Sequence, residues 1–382
     1  MAVSGGASAA AASLPPETWQ RSRVLLLLAA TATAAVPGIS AAGATAEARR
    51  STAAADAELL VLGPGRPPVH ALPPLPAGVS PALISHVVLA ELGLLPRLTV
   101  VDLGCAVAPA VPHLRLPAAE GGGPAACLSG GRALGAARAE ALLRRGRCWG
   151  ERLDPRQPLV LAECVPGGTS TALAVLRGLG LAADGLVSGS LRRSAHGLKA
   201  GLVRRGLTAA GLPAAGAHPA AVLAALGDPM QPLAAALTLA AVGRGVPVLL
   251  AGGSQMAAVL ALALALAPAE RRPQLARGTI IATTAWVAEE AGSDLQRLLG
   301  LIGERWQVSP RLEVAGLRFH GCASAALRDY ERGYVKEGVG AGGLAWLWQR
   351  CGRDPQELAR LCDRACGRLL AHAADAGSGA GA

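Results

Sequence analysis

The chain has 382 residues, of which 52% are hydrophobic and 16% charged, with 49 Gly, 27 Pro and a formal net charge of +10. That balance excludes a disordered chain and fits an Ala/Leu/Gly-rich α/β protein, long for one core and with room for two lobes. Aromatics make up 2%, with one Phe and two Tyr, which excludes a nucleic-acid surface that works by base stacking.

In chain order, the stretches 1–13 and 374–382 are rich in Ala, Gly and Ser and read as disordered. The folded part is placed at 19–366, between tails 1–18 and 367–382. The apolar run 24–36 follows Arg21 and Arg23 as the core of a secretory leader does. Glu17 and Trp19 before it, and PGISAAG directly after it, argue against that, and 24–29 is read as a buried strand. Further strands are expected at 58–62, 98–103, 158–162, 185–188, 246–251, 278–283 and 313–319. Helices are expected at 81–92, 135–145, 171–179, 195–205, 219–226, 232–242, 254–266, 293–302 and 341–351. The apolar run 257–267 is about half the length needed to cross a bilayer, so no membrane association is expected. Strands such as VPVLLA are apolar throughout, as a parallel sheet covered on both faces requires. The sheet is expected mainly within about 151–320.

Eight Cys occur without a CxxC pair, and the seven His show neither HxH nor HxxxH spacing, so no metal site and no cofactor is expected. The thiols read as reduced and structural, which points to the cytoplasm. The Arg residues lie in short scattered clusters, read as a solvated surface open to anionic ligands.

Three Gly-rich segments open helices: Val165 to Ser170, the LAGGSQ segment with Gly252, Gly253 and Ser254, and the KEGVGAGG segment with Gly338 and Gly340. Turns that follow strands of a parallel sheet share the edge where ligands bind. In the first, Gly167, Gly168, Thr169 and Ser170 offer backbone N–H groups and hydroxyls to a phosphate at a helix start. Two carboxylates stand in such turns, Glu163 and Glu337, suited to a general base or to stabilising a developing positive charge. Lys199, in SAHGLKAGLVRRGL, is a candidate phosphate contact. Neither a P-loop nor a dinucleotide fingerprint occurs.

The ordered set AECVPGGTSTALAVL, GDPMQPLAAALTLAAVGRGVPVLLAGGSQ and KEGVGAGG resembles the nicotinate-nucleotide–dimethylbenzimidazole phosphoribosyltransferase family, in its archaeal and cyanobacterial branch. The resemblance spans roughly 24–351. It implies a single Rossmann-like domain with a mostly parallel sheet, helices on both faces and a smaller helical lobe formed by the two ends of the chain, usually as a homodimer. It implies transfer of the phosphoribosyl group of nicotinate mononucleotide to a benzimidazole or purine-type base, giving an α-ribotide and nicotinate for the lower ligand of cobamides. Glu337 then matches the catalytic carboxylate of the Gly-Glu-Gly-x-Gly motif, with Lys336 in place of its first Gly, and Glu163 the second essential glutamate. Lys199 matches an essential lysine, and Gly252 and Gly253 replace an Asp-Gly pair. A transferase or hydrolase of another nucleotide, or a non-catalytic nucleotide-binding protein, are the alternatives on the same scaffold.

Overall fold

The computed structural model describes residues 11–66, 68–73, 75 and 77–379, so only parts of the expected tails, 1–10 and 380–382, lie outside the described residues. Seven strands form one sheet: β1 Arg23–Leu28, β2 Leu98–Asp102, β3 Leu114–Arg115, β4 Leu159–Cys164, β5 Val248–Ala251, β6 Thr279–Thr284 and β7 Arg311–Ala315. The order is β3-β2-β1-β4-β5-β6-β7, and every pair is parallel. This is an α/β fold of the expected Rossmann-like kind.

Side chains alternate between the two faces of each strand. Leu25, Leu27, Leu159, Leu161, Val248, Leu250 and Ile281 belong to one apolar cluster. It is completed by the helices Ala136–Gly150, Gly168–Gly178, His196–Ala210, Pro219–Leu226, Met230–Gly243, Ser254–Leu266 and Leu295–Trp306. Val24, Leu26, Leu28, Val160, Ala162, Leu249, Ala251, Ile280 and Ala282 face the other way. There they meet the helices Ala48–Leu62, Ala82–Glu91, Ala341–Arg350 and Pro355–Gly379, and Trp19 near the start of the chain. Helices from both ends of the chain thus pack together on this second face. The central strands are apolar in nearly every position because both faces are covered.

The sheet departs from expectation in particular places. Three strands come from residues before 151, so the sheet is not confined to about 151–320. Residues 58–62 finish the helix Ala48–Leu62 rather than forming a strand. Four apolar residues after Glu58 have no readable period, and the Ala-rich stretch before them favours helix. Residues 185–188 are irregular, with Gly185 at φ 77°, and Ser188 serves as a wall of the cavity described below. Strand β7 stops at Ala315, where Gly316 N–H turns away to donate to the Gln349 side chain at 2.8 Å. Two-residue β3 is too short for any pattern to announce. At the ends, Pro16–Trp19 is helical with Trp19 fully buried, and Pro355–Gly379 continues well past 367, its Cys362, Ala365 and Cys366 held in the core. Among the described residues no helix is long and apolar enough to cross a membrane.

The helices Ala136–Gly150 and Met230–Gly243 approach closely because Gly146 and Gly150 present no side chain. A Cβ at Gly146 would lie 2.3 Å from the Leu233 carbonyl oxygen, and one at Gly150 would lie 2.5 Å from Ala240 Cβ. Gly146→Leu is therefore expected to lower the free energy of unfolding by about 1–3 kcal/mol, read as a lower urea midpoint at unchanged slope. A wild-type midpoint would mean that the two helices do not pack at this distance.

Candidate active site

Chain winding reverses between β1 and β4, which are neighbours in the sheet although β2 and β3 intervene in sequence. In open α/β sheets the crevice outside the carboxyl ends of the strands at such a reversal is where ligands bind. A cavity of about 630 Å³ lies there. Its walls include the β4 turn from Glu163 to Thr169, the loop Ser188 to Ser190, the segment Gly253 to Gln255 and the turn Tyr334 to Val339. The remaining wall is largely apolar, with Pro64, Val69, Leu72, Leu75 and Leu370.

Glu163 is the penultimate residue of β4 and is 6% exposed. It accepts from Val165 N–H at 3.0 Å and from Gln255 Nε2 at 2.9 Å. Burial pushes its carboxyl up to about 8, with the negative charges of Asp228 and Glu337 adding to the effect. Gln255 Oε1 is buried without a partner among the described residues, so one end of this amide holds Glu163 while the other is unsatisfied beside the cavity.

Glu337 sits in a turn braced against two strands. Val339 N–H donates to Glu163 O at 3.0 Å, and Thr284 Oγ1 donates to Lys336 O at 2.7 Å. Its carboxylate accepts from Thr283 Oγ1 at 2.9 Å, Thr284 N at 3.1 Å, Gly338 N at 3.1 Å and Gly342 N at 3.0 Å. Gly342 lies in the first turn of Ala341–Arg350, where a carboxylate is favoured by the helix dipole. A Cβ at Gly342 would stand 2.4 Å from Glu337 Oε2 and 2.2 Å from Thr283 C, so only glycine leaves room for the carboxylate. Burial raises the Glu337 carboxyl above its ordinary range, opposed by these donors.

The expected phosphate residues do not all reach the cavity. Gly167, Gly168 and Thr169 line it, with Gly167 at φ 81° turning the chain into a helix that starts at Gly168. Ser170 falls inside that helix, fully buried, and its Oγ has no partner among the described residues. Gly253, Ser254 and Gly338 line the cavity, whereas Gly252 and Gly340 stand behind it. Gly340 packs over the sheet, where a Cβ would meet Ala162 Cβ at 2.7 Å. Lys199 is 1% exposed and lies behind the Ser188 to Ser190 wall, its Nζ donating to Ser188 O at 3.1 Å. Burial lowers its ammonium to about 8, partly opposed by Glu290.

Several groups at the site escaped the sequence reading. Asp56, from the helix whose last turn was expected as a strand, lines the cavity and accepts from Ser80 Oγ at 2.6 Å and Cys164 Sγ at 3.3 Å. Burial pushes it up to about 6. Glu290 and Lys336 form a buried ion pair at 2.7 Å, and Ser188 Oγ donates to Glu290 as well. Two carried a usable signal: Gln255, which directly follows Gly252, Gly253 and Ser254, and Lys336, which stands in place of a glycine beside Glu337. Among the described residues no cluster of three or more His, Cys, Asp or Glu side chains could hold a metal ion.

The raised Glu163 carboxyl has a stability consequence. The folded protein keeps this proton to about pH 8, whereas an unfolded chain releases it near about 4.3. Between those values the folded state binds the extra proton, so stability is greatest at the acidic end and falls as pH rises to about 8. Asp56 and Asp228, both pushed up to about 6, steepen only the lower part of that fall. In Glu163→Gln the decline between pH 6 and 8 should shrink, measured by urea unfolding at each pH. Parallel curves for variant and wild type above pH 6 would show that Glu163 is already ionised there.

No family model matches the chain. A UPF0284 protein of Prochlorococcus marinus strain MIT 9313 is 53% identical over 353 residues, 91% of this chain and 86% of the relative. A second, from Cyanothece sp. strain PCC 7425, is 45% identical over 320 residues, 84% of this chain and 83% of its own length. Among solved structures, the nicotinate-nucleotide–dimethylbenzimidazole phosphoribosyltransferase of Thermus thermophilus superposes with a TM-score of 0.56 at 19% identity, over 89% of this chain and 82% of that one. CobT from the same organism gives 0.56 at 20% identity, over 92% and 90%. With 53% identity to one member over 91% of its length, the chain belongs to the UPF0284 family, and its fold is that of the nicotinate-nucleotide–dimethylbenzimidazole phosphoribosyltransferases.

Proposed function

We propose that the protein transfers the phosphoribosyl group of nicotinate mononucleotide to a benzimidazole or purine-type base, releasing nicotinate and an α-ribotide for cobamide assembly. The observation that carries this reading is the meeting of Glu163 and Glu337 at one cavity, close enough for the charge of one to raise the proton affinity of the other. A protein that only binds a nucleotide needs neither carboxylate at its cavity.

Nicotinate attached to ribose is a pyridinium, so it leaves as a neutral ring nitrogen without a proton donor. The acceptor nitrogen bonds to the ribose anomeric carbon from the face opposite the departing nicotinate, and the carbon inverts. The electron pair of the broken C–N bond goes to the pyridine nitrogen. The azole N–H proton passes to Glu337, the general base. That carboxylate accepts four hydrogen bonds, three from backbone N–H groups and one from Thr283 Oγ1. Of these donors only the hydroxyl can rotate, so Thr283 is the one that yields a lone pair to the incoming proton. A base whose proton affinity is raised by burial is better matched to neutral pH than an exposed glutamate.

Glu163 acts on the sugar. A cationic pyridinium beside it reverses the balance that holds its proton, so substrate entry releases that proton to solvent and leaves the carboxylate. The resulting anion then stabilises positive charge on the ribose ring. The phosphate rests on the turn Gly167 to Thr169 and the Ser188 to Ser190 loop, with the buried Lys199 charge behind that loop. The apolar wall around Val69, Leu72 and Leu75 receives the flat acceptor base. The reading carries with it a homodimer acting in the cytoplasm.

Incubation with nicotinate mononucleotide and either 5,6-dimethylbenzimidazole or adenine should release nicotinate and form an α-ribotide, followed by chromatography. Absence of both products with both bases would overturn the reading. Glu337→Gln is expected to lower kcat by about 10²–10⁴-fold while calorimetry shows near-normal nucleotide binding.

A further inference from the structure

The turn that carries Glu337 has an unusual backbone. Val335, Lys336 and Val339 have φ of 64°, 65° and 53°, in the left-handed region that favours glycine and that β-branched residues avoid. Such a conformation persists only where surrounding contacts over-determine it. At position 336 a glycine would adopt it without strain, yet the chain places a lysine there and buries it to 1% exposure.

The lysine side chain explains the choice. Its Nζ donates to Glu290 Oε1 at 2.7 Å and to Leu191 O at 2.8 Å. Glu290 in turn accepts from Ser293 Oγ at 2.9 Å, from Ser194 Oγ at 3.3 Å and from Ser188 Oγ. Ser188 O is the acceptor for Lys199 Nζ. One network therefore ties the segment 188–194, whose residues 188–190 line the cavity, to the residue next to Glu337. Lys336 itself pins the Glu337 turn at two points, through its carbonyl on Thr284 Oγ1 and its ammonium on Glu290.

We propose that the Lys336–Glu290 ion pair is the positioning device for the Glu337 carboxylate, fixing it relative to the Ser188 to Ser190 wall so that acceptor base and ribose meet in line. Lys336 and Glu290 touch neither reacting atom and act through the turn. The catalytic part of this assignment rests on the reading of Glu337 as the base.

The test uses the full chain with Lys336→Met, Lys336→Gly, Lys336→Arg and Glu290→Gln. Lys336→Gly removes the ion pair while keeping a backbone that readily takes the left-handed conformation, so a loss there cannot be blamed on strain. With nicotinate mononucleotide and 5,6-dimethylbenzimidazole, the Met, Gly and Gln variants should lose about 10–100-fold in kcat with KM for the nucleotide within about threefold. Lys336→Arg, which keeps the charge, should recover most of that loss. Hydrogen–deuterium exchange should quicken at least about tenfold at the amides of 337–342 in the same variants, with β4 amides unchanged. Wild-type kcat and exchange in Lys336→Gly would overturn the proposal, as would a loss that Lys336→Arg fails to relieve. If the wild type transfers no phosphoribosyl group to either base, the functional reading fails by itself. The exchange data then decide alone whether the ion pair sets the turn.

Discussion

The pairing of β1 with β4 is the constraint on which the rest of the molecule depends. It runs in register from Arg23 opposite Leu159 to Leu28 opposite Cys164 and joins two strands separated by about a third of the chain. Because the two halves of the sheet wind away from this seam, the crevice at the carboxyl ends of β1 and β4 stays open and a cavity is left. The alternation of β4 then divides the chemistry. Glu163 points to one face, toward Gln255, and Cys164 to the other, toward Asp56. A shift of one residue in the β1–β4 register would exchange them.

Burial governs the electrostatics that follow. A carboxyl taken out of water without a cation retains its proton, and Glu163, Asp56 and Asp228 all move in that direction. Glu337 also rises, against the pull of four donors. Glu290 moves the other way, down, because it faces Lys336. Removing one member of such a buried pair costs roughly 3–5 kcal/mol, more than most single hydrogen bonds contribute. The cavity region thus combines one buried ion pair with carboxyls whose proton affinity burial has raised.

Glycine and strain divide the labour in the same region. Gly342 is needed because the Glu337 carboxylate occupies the space of its side chain. Lys336 stands where glycine would be easier, because only a long cation reaches Glu290 and Leu191.

Much of this could be read without coordinates. The apolar strands, the glycine turns that end them and the two glutamates in those turns have local signatures, because strand burial and tight turns restrict residue type over a few neighbouring positions. From these followed the parallel sheet with helices on both faces and the pair Glu163 and Glu337. Local pattern did not disclose that β1 and β2, before residue 151, complete the sheet, that 58–62 is helical, or that Lys199 stands behind the cavity wall. Nor did it disclose Asp56 and Glu290, each an ordinary charged residue in its local context, or that Lys336 pairs with Glu290. Their roles arise only when segments distant in sequence are brought together, as Lys336 and Glu290, 46 residues apart, are. The order of residues was enough for most of the elements and for the glycine turns and carboxylates at their ends. Which charges are buried, and what they face, was settled by the packing of distant segments, because a side chain's solvation depends on neighbours that local pattern does not specify.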